Sequence, residues 1–265
     1  MNKVMIMNRL DRLFKEKDKD ILNLYITAGF PKIDSTVELL DNCAQAGVDL
    51  VEVGMPYSDP LADGSTIQNS SARALQNGMN LQLLFDQIAT FRSKNNSLPI
   101  VWMGYFNQIV QYGPDRFFRA CKEHGIDGLI VPDLPMNYYE DRYEAILEEL
   151  DLKITFLITP DTSEERILDA DRLSTGFLYV ISKSGVTGKA NEVESEQENF
   201  LKKIGQKTLS RPALVGFGIH NKKTYDASSK YVNGGIIGSA FIRHIDENGT
   251  SRSSIQTFVE AIRGN

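Results

Sequence analysis

The chain is poor in the residues that cross-link secreted proteins or bind structural metals. Two of its 265 residues are cysteines, Cys43 and Cys121, and they are not placed at a metal-binding spacing. The three histidines are scattered along the sequence, which argues against a zinc site. We therefore expect two buried, reduced thiols and no bound metal.

Long apolar runs and an excess of positive charge are also lacking. No segment approaches the roughly 20 apolar residues of a membrane helix, and residues 1–20 lack the apolar core of a signal peptide. The formal charge is −6, with 29 Lys and Arg against 35 Asp and Glu, which argues against nucleic acid as a partner. These absences predict a cytoplasmic protein without a membrane span.

Short apolar runs alternate with amphipathic segments along the whole chain. The runs, rich in Val, Ile, Leu and Phe, are 21–27, 48–53, 98–103, 126–131, 152–158, 176–181, 212–217 and 232–238. Near-continuous apolar strands are typical of a parallel sheet that is buried on both faces. Eight such repeats, spaced by roughly 30 residues, predict a single (β/α)8 TIM barrel over residues 1–265. The alternative is an open, doubly wound sheet.

Helical periodicity fills most of the segments between these runs. The predicted helices are 35–47, 81–94, 113–125, 138–150, 163–173, 222–230 and 253–264. An extra N-terminal helix over 7–17 places Met7, Leu10 and Phe14 on one face. We expect that apolar face to close the bottom of the barrel.

Glu52 is the first candidate for chemistry. With period two along a strand, it shares a face with Val48 and Leu50 and should point into the barrel near its catalytic end. A buried carboxylate must be paired or have a shifted pKa. Acid–base catalysis is therefore the favoured interpretation, and an ion pair with an inward lysine is the alternative.

Two further carboxylates, Asp59 and Asp63, follow the same strand in a loop stiffened by Pro56 and Pro60. A functional role for Asp63 competes with that of a turn former or of an N-terminal cap on a helix that begins near Thr66. Asp59 can equally serve as a turn former.

Glycines follow the last two strands. Barrels often bind phosphate at these two loops through backbone N–H groups and a helix N-terminus. Gly218, Gly238 and Ser239 lie at these positions and are predicted to bind an anion. Residues 182–199, after the sixth strand, read as a long polar loop, either a lid around Thr187 or a solvated connector.

Several longer motifs resemble the tryptophan synthase α subunit family. They are YITAGFP (25–31), EVGMPYSDPLADGSTIQ (52–68), VPDLP (131–135), SKSGVTG (182–188), GFGI (216–219) and IIGSA (236–240). The resemblance implies a barrel with extra helices that cleaves indole-3-glycerol phosphate to indole and glyceraldehyde 3-phosphate. It also implies an α2β2 assembly with a β subunit that carries pyridoxal phosphate, and no cofactor on the α chain.

The same resemblance assigns Glu52 and Asp63 as the catalytic residues. Cleavage requires indole C3 to accept a proton and a side-chain hydroxyl to lose one, and a protonatable Glu52 suits both steps. Asp63 would accept the N1–H of the cationic indole ring.

Other matching positions are assigned to substrate or partner. Gly188, Gly218, Gly238 and Ser239 match phosphate contacts; Tyr25, Met103, Ile130, Tyr179 and Phe217 match substrate or indole contacts; Thr187 matches the lid; and Asp59, Asp133 and Pro135 match partner-facing loops. One departure from the family pattern is Lys183, where an arginine is common. Lysine keeps the charge but loses the planar fork, which affects lid closure more than the chemistry.

Two other functions remain open. A stand-alone lyase that releases free indole would use the same residues, and a barrel without catalysis would act only as a binding partner. Retention of both Glu52 and Asp63 argues against the second.

Overall fold

Eight parallel strands form a closed barrel. The computed structural model describes residues 7–181, 190–216 and 218–264. The strands are β1 (Ile21–Thr27), β2 (Leu50–Gly54), β3 (Ile100–Met103), β4 (Gly128–Ile130), β5 (Lys153–Ile158), β6 (Leu178–Ile181), β7 (Ala213–Gly216) and β8 (Gly234–Ile237). Each strand pairs with the next, and β8 pairs with β1. The predicted barrel is confirmed, and the open-sheet alternative is wrong because the β1–β8 pair closes the sheet.

Helices surround the barrel, and thirteen lie within the described residues. They are α1 (Arg9–Glu16), α2 (Ser35–Gln45), α3 (Ser65–Gln76), α4 (Leu81–Arg92), α5 (Phe106–Tyr112), α6 (Pro114–His124), α7 (Met136–Arg142), α8 (Glu144–Glu149), α9 (Glu164–Leu173), α10 (Ala190–Gly205), α11 (Lys222–Ser229), α12 (Ser239–Asn248) and α13 (Arg252–Arg263). Among these helices, none has the length and apolar composition needed to cross a membrane.

Successive side chains of a strand point to opposite faces of the sheet, and this divides the core into two parts. In β2, Leu50 belongs to a cluster inside the barrel, whereas Val51 and Val53 belong to the larger cluster between the sheet and the helices. This is the period-two pattern of a strand that is buried on both faces. Glu52 therefore lies on the interior side with Leu50, as predicted.

Helix α1 closes the N-terminal end of the barrel. Leu10 is buried in the interior cluster, and Leu13 and Phe14 pack against it. The rings of Phe14 and Phe177 lie 6.0 Å apart between centroids. The predicted plug is confirmed for Leu10 and Phe14. It is wrong for Met7, which precedes the helix and is 49% exposed.

Two predicted segments differ from the structure. The single helix over 138–150 is two helices, α7 and α8, because Tyr143 leaves helical geometry with φ −127° and ψ −14°. Part of the predicted loop over 182–199 is helix α10, while residues 182–189 lie outside the described part of the chain. Buried Phe200 and Leu201 supply the apolar face of α10, which charged neighbours obscure in the sequence.

Three helices were missed or seen only in part. For α3 the sequence predicts only a start near Thr66, and it predicts no helix at the position of α5. Helix α5 has seven residues, too few to show a clear helical period. Helix α12 follows β8 directly after Gly238, where the sequence predicts a helix N-terminus for anion binding but not the length of the helix.

Candidate active site

Glu52 lies in the barrel interior with 0% of its surface exposed. Asn23 on β1 donates from Nδ2 to Glu52 Oε1 at 2.6 Å. Glu52 Oε2 has no hydrogen-bond partner among the described residues. The partner is thus a neutral amide, and no described lysine forms an ion pair with this carboxylate.

Burial determines the protonation of Glu52. Desolvation raises the pKa of its carboxyl to about 8, although the hydrogen bond from Asn23 lowers it in part. The group is therefore mainly protonated at neutral pH and can give a proton. Asn23 was not predicted, but it is the one polar residue before the threonine in ILNLYIT and shares a face with Tyr25.

Asp63 lies on the loop between β2 and α3. Its Oδ2 accepts a hydrogen bond from the Tyr105 hydroxyl at 3.1 Å, and that hydroxyl accepts the Ala62 N–H at 2.9 Å. Burial raises the pKa of Asp63, and the bond from Tyr105 opposes this rise. The helix-cap alternative is wrong, since Gly64 occupies the N-cap of α3 and no side chain caps it.

A cavity of about 410 Å³ opens at the C-terminal ends of the strands. It is lined by Tyr25, Asp63, Gly64, Ile67, Met103, Tyr179, Gly218, Ile219, His220, Ile236, Gly238, Ser239, Ala240 and Arg243. Its position is that of the active sites of TIM barrels. The lining combines apolar and aromatic side chains with glycines and a serine, which suits a ligand that has a ring and an anionic group.

The carboxyl groups of Glu52 and Asp63 interact electrostatically with two tyrosines that line this cavity, Tyr25 and Tyr179. Burial, then the charges of Glu52 and Asp63, raise the pKa of Tyr179. Burial and the charge of Asp63 are likewise the largest causes that raise the pKa of Tyr25, with a further contribution from Glu52. Both tyrosines therefore remain neutral and lie within electrostatic range of both carboxyl groups.

Glycines on neighbouring strands make room for these two tyrosines. A Cβ atom on Gly54 would overlap the hydroxyl of Tyr25, and one on Gly216 would overlap the hydroxyl of Tyr179. The rings thus lie against bare backbone at the strand ends. The sequence alone does not predict this role for Gly54 or Gly216.

The predicted anion site comes together around helix α12. Gly238 is the N-cap of this helix and Ser239 is its first residue. Gly218 approaches the same cavity with φ +80°, a conformation that favours glycine. The first-turn N–H groups of a helix lack helical partners, and its N-terminus carries partial positive charge.

Two basic residues at this end were not predicted. His220 and Arg243 are exposed and line the cavity beside the glycines. His220 Nδ1 lies 2.9 Å from the carbonyl oxygen of Gly218, which can only accept, so that nitrogen donates. No sequence motif singled out either residue.

The remaining predicted residues fall into three groups. Tyr25, Met103 and Tyr179 line the cavity, whereas Ile130 packs in the interior cluster and does not line it. Exposed residues on the loops after β2 and β4 are Asp59, Asp133 and Pro135. Thr187, Gly188 and Phe217 lie outside the described residues, as does Lys183.

Potential metal ligands do not cluster. In the described part of the chain, no group of three or more His, Cys, Asp or Glu side chains has the arrangement to hold a metal ion. Cys43 and Cys121 are free and buried, as expected.

A family model and proteins of similar sequence match nearly the whole chain. The family model described as tryptophan synthase alpha chain matches residues 12–264. The tryptophan synthase alpha chain of Flavobacterium johnsoniae is 48% identical over 257 residues, covering 97% of this chain and 100% of the relative. The alpha chain of Bacteroides thetaiotaomicron is 42% identical over 257 residues with the same coverage.

Solved structures give the same result. The tryptophan synthase alpha subunit of Legionella pneumophila has a TM-score of 0.84 at 31% identity, covering 98% of this chain and 100% of that chain. A chain from work on the tryptophan synthase α2β2 complex of Pyrococcus furiosus has a TM-score of 0.84 at 34% identity, covering 93% and 99%. On these matches, the chain belongs to the tryptophan synthase alpha chain family.

Proposed function

We propose that Glu52 and Asp63 carry the acid–base chemistry by which this chain cleaves indole-3-glycerol phosphate. The chain is a lyase of tryptophan biosynthesis, and its reaction yields indole and glyceraldehyde 3-phosphate. The observation that carries the proposal is the buried Glu52, which keeps its proton at neutral pH. Glu52 does not itself line the cavity, but it is paired in register with Tyr25, which does. A protonated acid at this position is suited to donate a proton to a carbon atom.

Glu52 would act twice. It first gives its proton to indole C3, which makes the ring cationic. The resulting carboxylate then takes the proton of the hydroxyl on the glycerol carbon that forms the breaking bond to C3. That carbon becomes the aldehyde as the C–C electron pair returns to the ring. Glu52 thus ends protonated, as it began, and the proton balance closes.

Asp63 would stabilise the cationic ring. Its carboxylate accepts the N1–H of the protonated indole, whose positive charge it offsets. Tyr105 supports this role because its hydroxyl fixes one carboxylate oxygen and opposes the rise in the pKa of Asp63.

Substrate would lie with its ring between the aromatic walls and its phosphate at helix α12. Tyr25, Met103 and Tyr179 would contact the indole or glycerol parts, and Gly218, Gly238 and Ser239 the phosphate. Ile130 would support the pocket from the interior cluster. Roles for Thr187, Gly188 and Phe217 stay predictions, outside the described residues.

A β subunit is the proposed partner, in an α2β2 assembly like that of Pyrococcus furiosus. Asp59, Asp133 and Pro135 are exposed on loops at the cavity end of the barrel, where a partner could receive indole. Pyridoxal phosphate would belong to that partner, and this chain would need no cofactor of its own.

Residues 1–265 would act as one domain, because the strands of a single closed sheet extend from residue 21 to residue 237. A cytoplasmic location is also proposed. Two free, buried cysteines suit a reducing compartment.

Indole release from indole-3-glycerol phosphate, measured with and without a matching β subunit, tests the proposal. We expect slow release that rises sharply with the partner, and loss of release in Glu52→Gln. Asp63→Asn should reduce turnover by more than about tenfold. Fast indole release at a rate that the β subunit does not change would favour a stand-alone lyase. No indole release with or without the β subunit would favour a non-catalytic barrel.

A further inference from the structure

Arg243 lies on the same face of helix α12 as Ser239. The two residues are four positions apart, which places their side chains one turn from each other. Both line the cavity of about 410 Å³, together with Gly238 at the N-cap. The helix that presents N–H groups to the cavity therefore also presents a guanidinium at its rim.

No carboxylate oxygen of the described residues lies within 4.0 Å of the guanidinium nitrogens of Arg243. Its Nη1 instead donates a hydrogen bond of 3.3 Å to the neutral Thr66 hydroxyl on α3. Asp246, on the same helix as Arg243, is already paired with Arg73 at 2.7 Å. The charge of Arg243 is thus available to a ligand.

The positive charge that the backbone supplies at α12 is smaller than the negative charge of a phosphate monoester. Such a group carries close to two negative charges at neutral pH, whereas a helix N-terminus offers the equivalent of about half a positive charge. Asp63 lines the same cavity and adds repulsion when ionised. A guanidinium, with several N–H donors in a planar fork, matches phosphate oxygens well.

We propose that Arg243 binds the phosphate of the substrate from the cavity rim and selects for phosphorylated ligands. Ser239 and the first-turn N–H groups of α12 would hold one side of the phosphate and the guanidinium another. Thr66 would hold the side chain over the cavity before the ligand binds. The inference rests on the proposed function, because it takes the anion at α12 to be the substrate phosphate.

Four variants test this role. Arg243→Ala removes the charge, and Arg243→Lys keeps the charge but loses the fork. Thr66→Val removes the acceptor that holds the guanidinium. Arg252→Ala is the matched control, because Arg252 is also an exposed arginine at a helix, α13, but does not line the cavity.

Steady-state cleavage of indole-3-glycerol phosphate by the α chain with its β partner is measured across a range of NaCl concentrations. In Arg243→Ala, KM should rise by about tenfold, the value of one charge-assisted hydrogen bond. KM should change more than kcat and should depend less on salt than in the unmodified chain, because one screened charge contact is gone. Arg243→Lys and Thr66→Val should give smaller increases, and Arg252→Ala almost none.

Inhibition by inorganic phosphate and by indole separates anion binding from general damage to the cavity. Arg243→Ala should weaken inhibition by phosphate while inhibition by indole persists. Equal weakening of both would overturn the proposal, as would an Arg243→Ala protein that matches Arg252→Ala in KM and salt dependence.

Calorimetric titration with inorganic phosphate needs no turnover and keeps the two proposals apart. If the unmodified chain releases no indole, the proposed function fails. Weaker phosphate binding by Arg243→Ala than by Arg252→Ala would still support the role of Arg243 in anion binding, and equal binding would refute it.

Discussion

Glu52→Gln should stabilise the folded barrel by an amount that grows with pH. The pKa of Glu52 is about 8 in the folded chain, against 4.5 for the ordinary side chain. The folded state therefore binds this proton more tightly than the unfolded state does, and stability falls as the pH rises from 4.5 towards 8. Glutamine has no proton to lose, so the variant escapes this decline.

The size of the effect follows from the two pKa values. Relative to a permanently neutral side chain, the carboxyl group costs the fold about 1 kcal/mol at pH 5 and about 4 kcal/mol at pH 8. Glutamine resembles protonated glutamate in shape, and its Oε1 can still accept the hydrogen bond from Asn23. Its amide leaves a donor where Glu52 Oε2 lies, much as the protonated acid does.

Urea unfolding at pH 5 and pH 8, followed by far-UV circular dichroism, measures the difference. The advantage of Glu52→Gln over the unmodified chain should grow by about 3 kcal/mol between these values. Glu123→Gln is the control, since Glu123 is exposed at the end of α6. A Glu52→Gln advantage that stays constant between pH 5 and pH 8 would refute the reasoning.

Three further predictions concern neighbouring contacts. Asn23→Leu removes a bond that lowers the pKa of Glu52, so the alkaline limb of the pH–rate profile should move to higher pH; an unmoved limb would contradict this. Tyr105→Phe removes the bond that opposes the rise in the pKa of Asp63, and kcat should fall by about tenfold with a smaller change in KM; steady-state kinetics at neutral pH decides this. Leu10→Ala should cost about 2–5 kcal/mol in urea unfolding, and a loss under about 1 kcal/mol would show that α1 is not part of the core.

The barrel could be predicted from the sequence because its strands are buried on both faces. This burial leaves continuous apolar runs that are easy to recognise. Boundaries were less accessible: the run 48–53 begins two residues before β2 (Leu50–Gly54) and ends one residue early. Helix α10 was missed in the segment 182–199, because charged residues on its outer face resemble a loop when burial is unknown.

Parts of the site could also be predicted, because they follow from strand periodicity and from the order of the strands. The period of a strand places Glu52 inside the barrel, and the chain order of a TIM barrel places Gly218 and Gly238 near one another. The roles of Tyr105 and Arg243 could not be predicted from the sequence. Tyr105 bonds to Asp63 from the segment after β3, and Arg243 lines the cavity one helical turn beyond Ser239. Only packing decides that these two side chains point towards the site.

The sequence by itself determined the alternation of strands and helices, the inward direction of Glu52 and the family motifs around Asp63, whereas the β1–β8 pair of the structure decided that the sheet is closed. These features depend on periodicity and on residue order, both of which can be read from the linear sequence. The tertiary structure alone decided the protonation of Glu52, which depends on complete burial and on a single amide from the adjacent strand. It also decided that Asp63 bonds to Tyr105 and does not cap α3, since hydrogen-bond partners distant in sequence are chosen by packing.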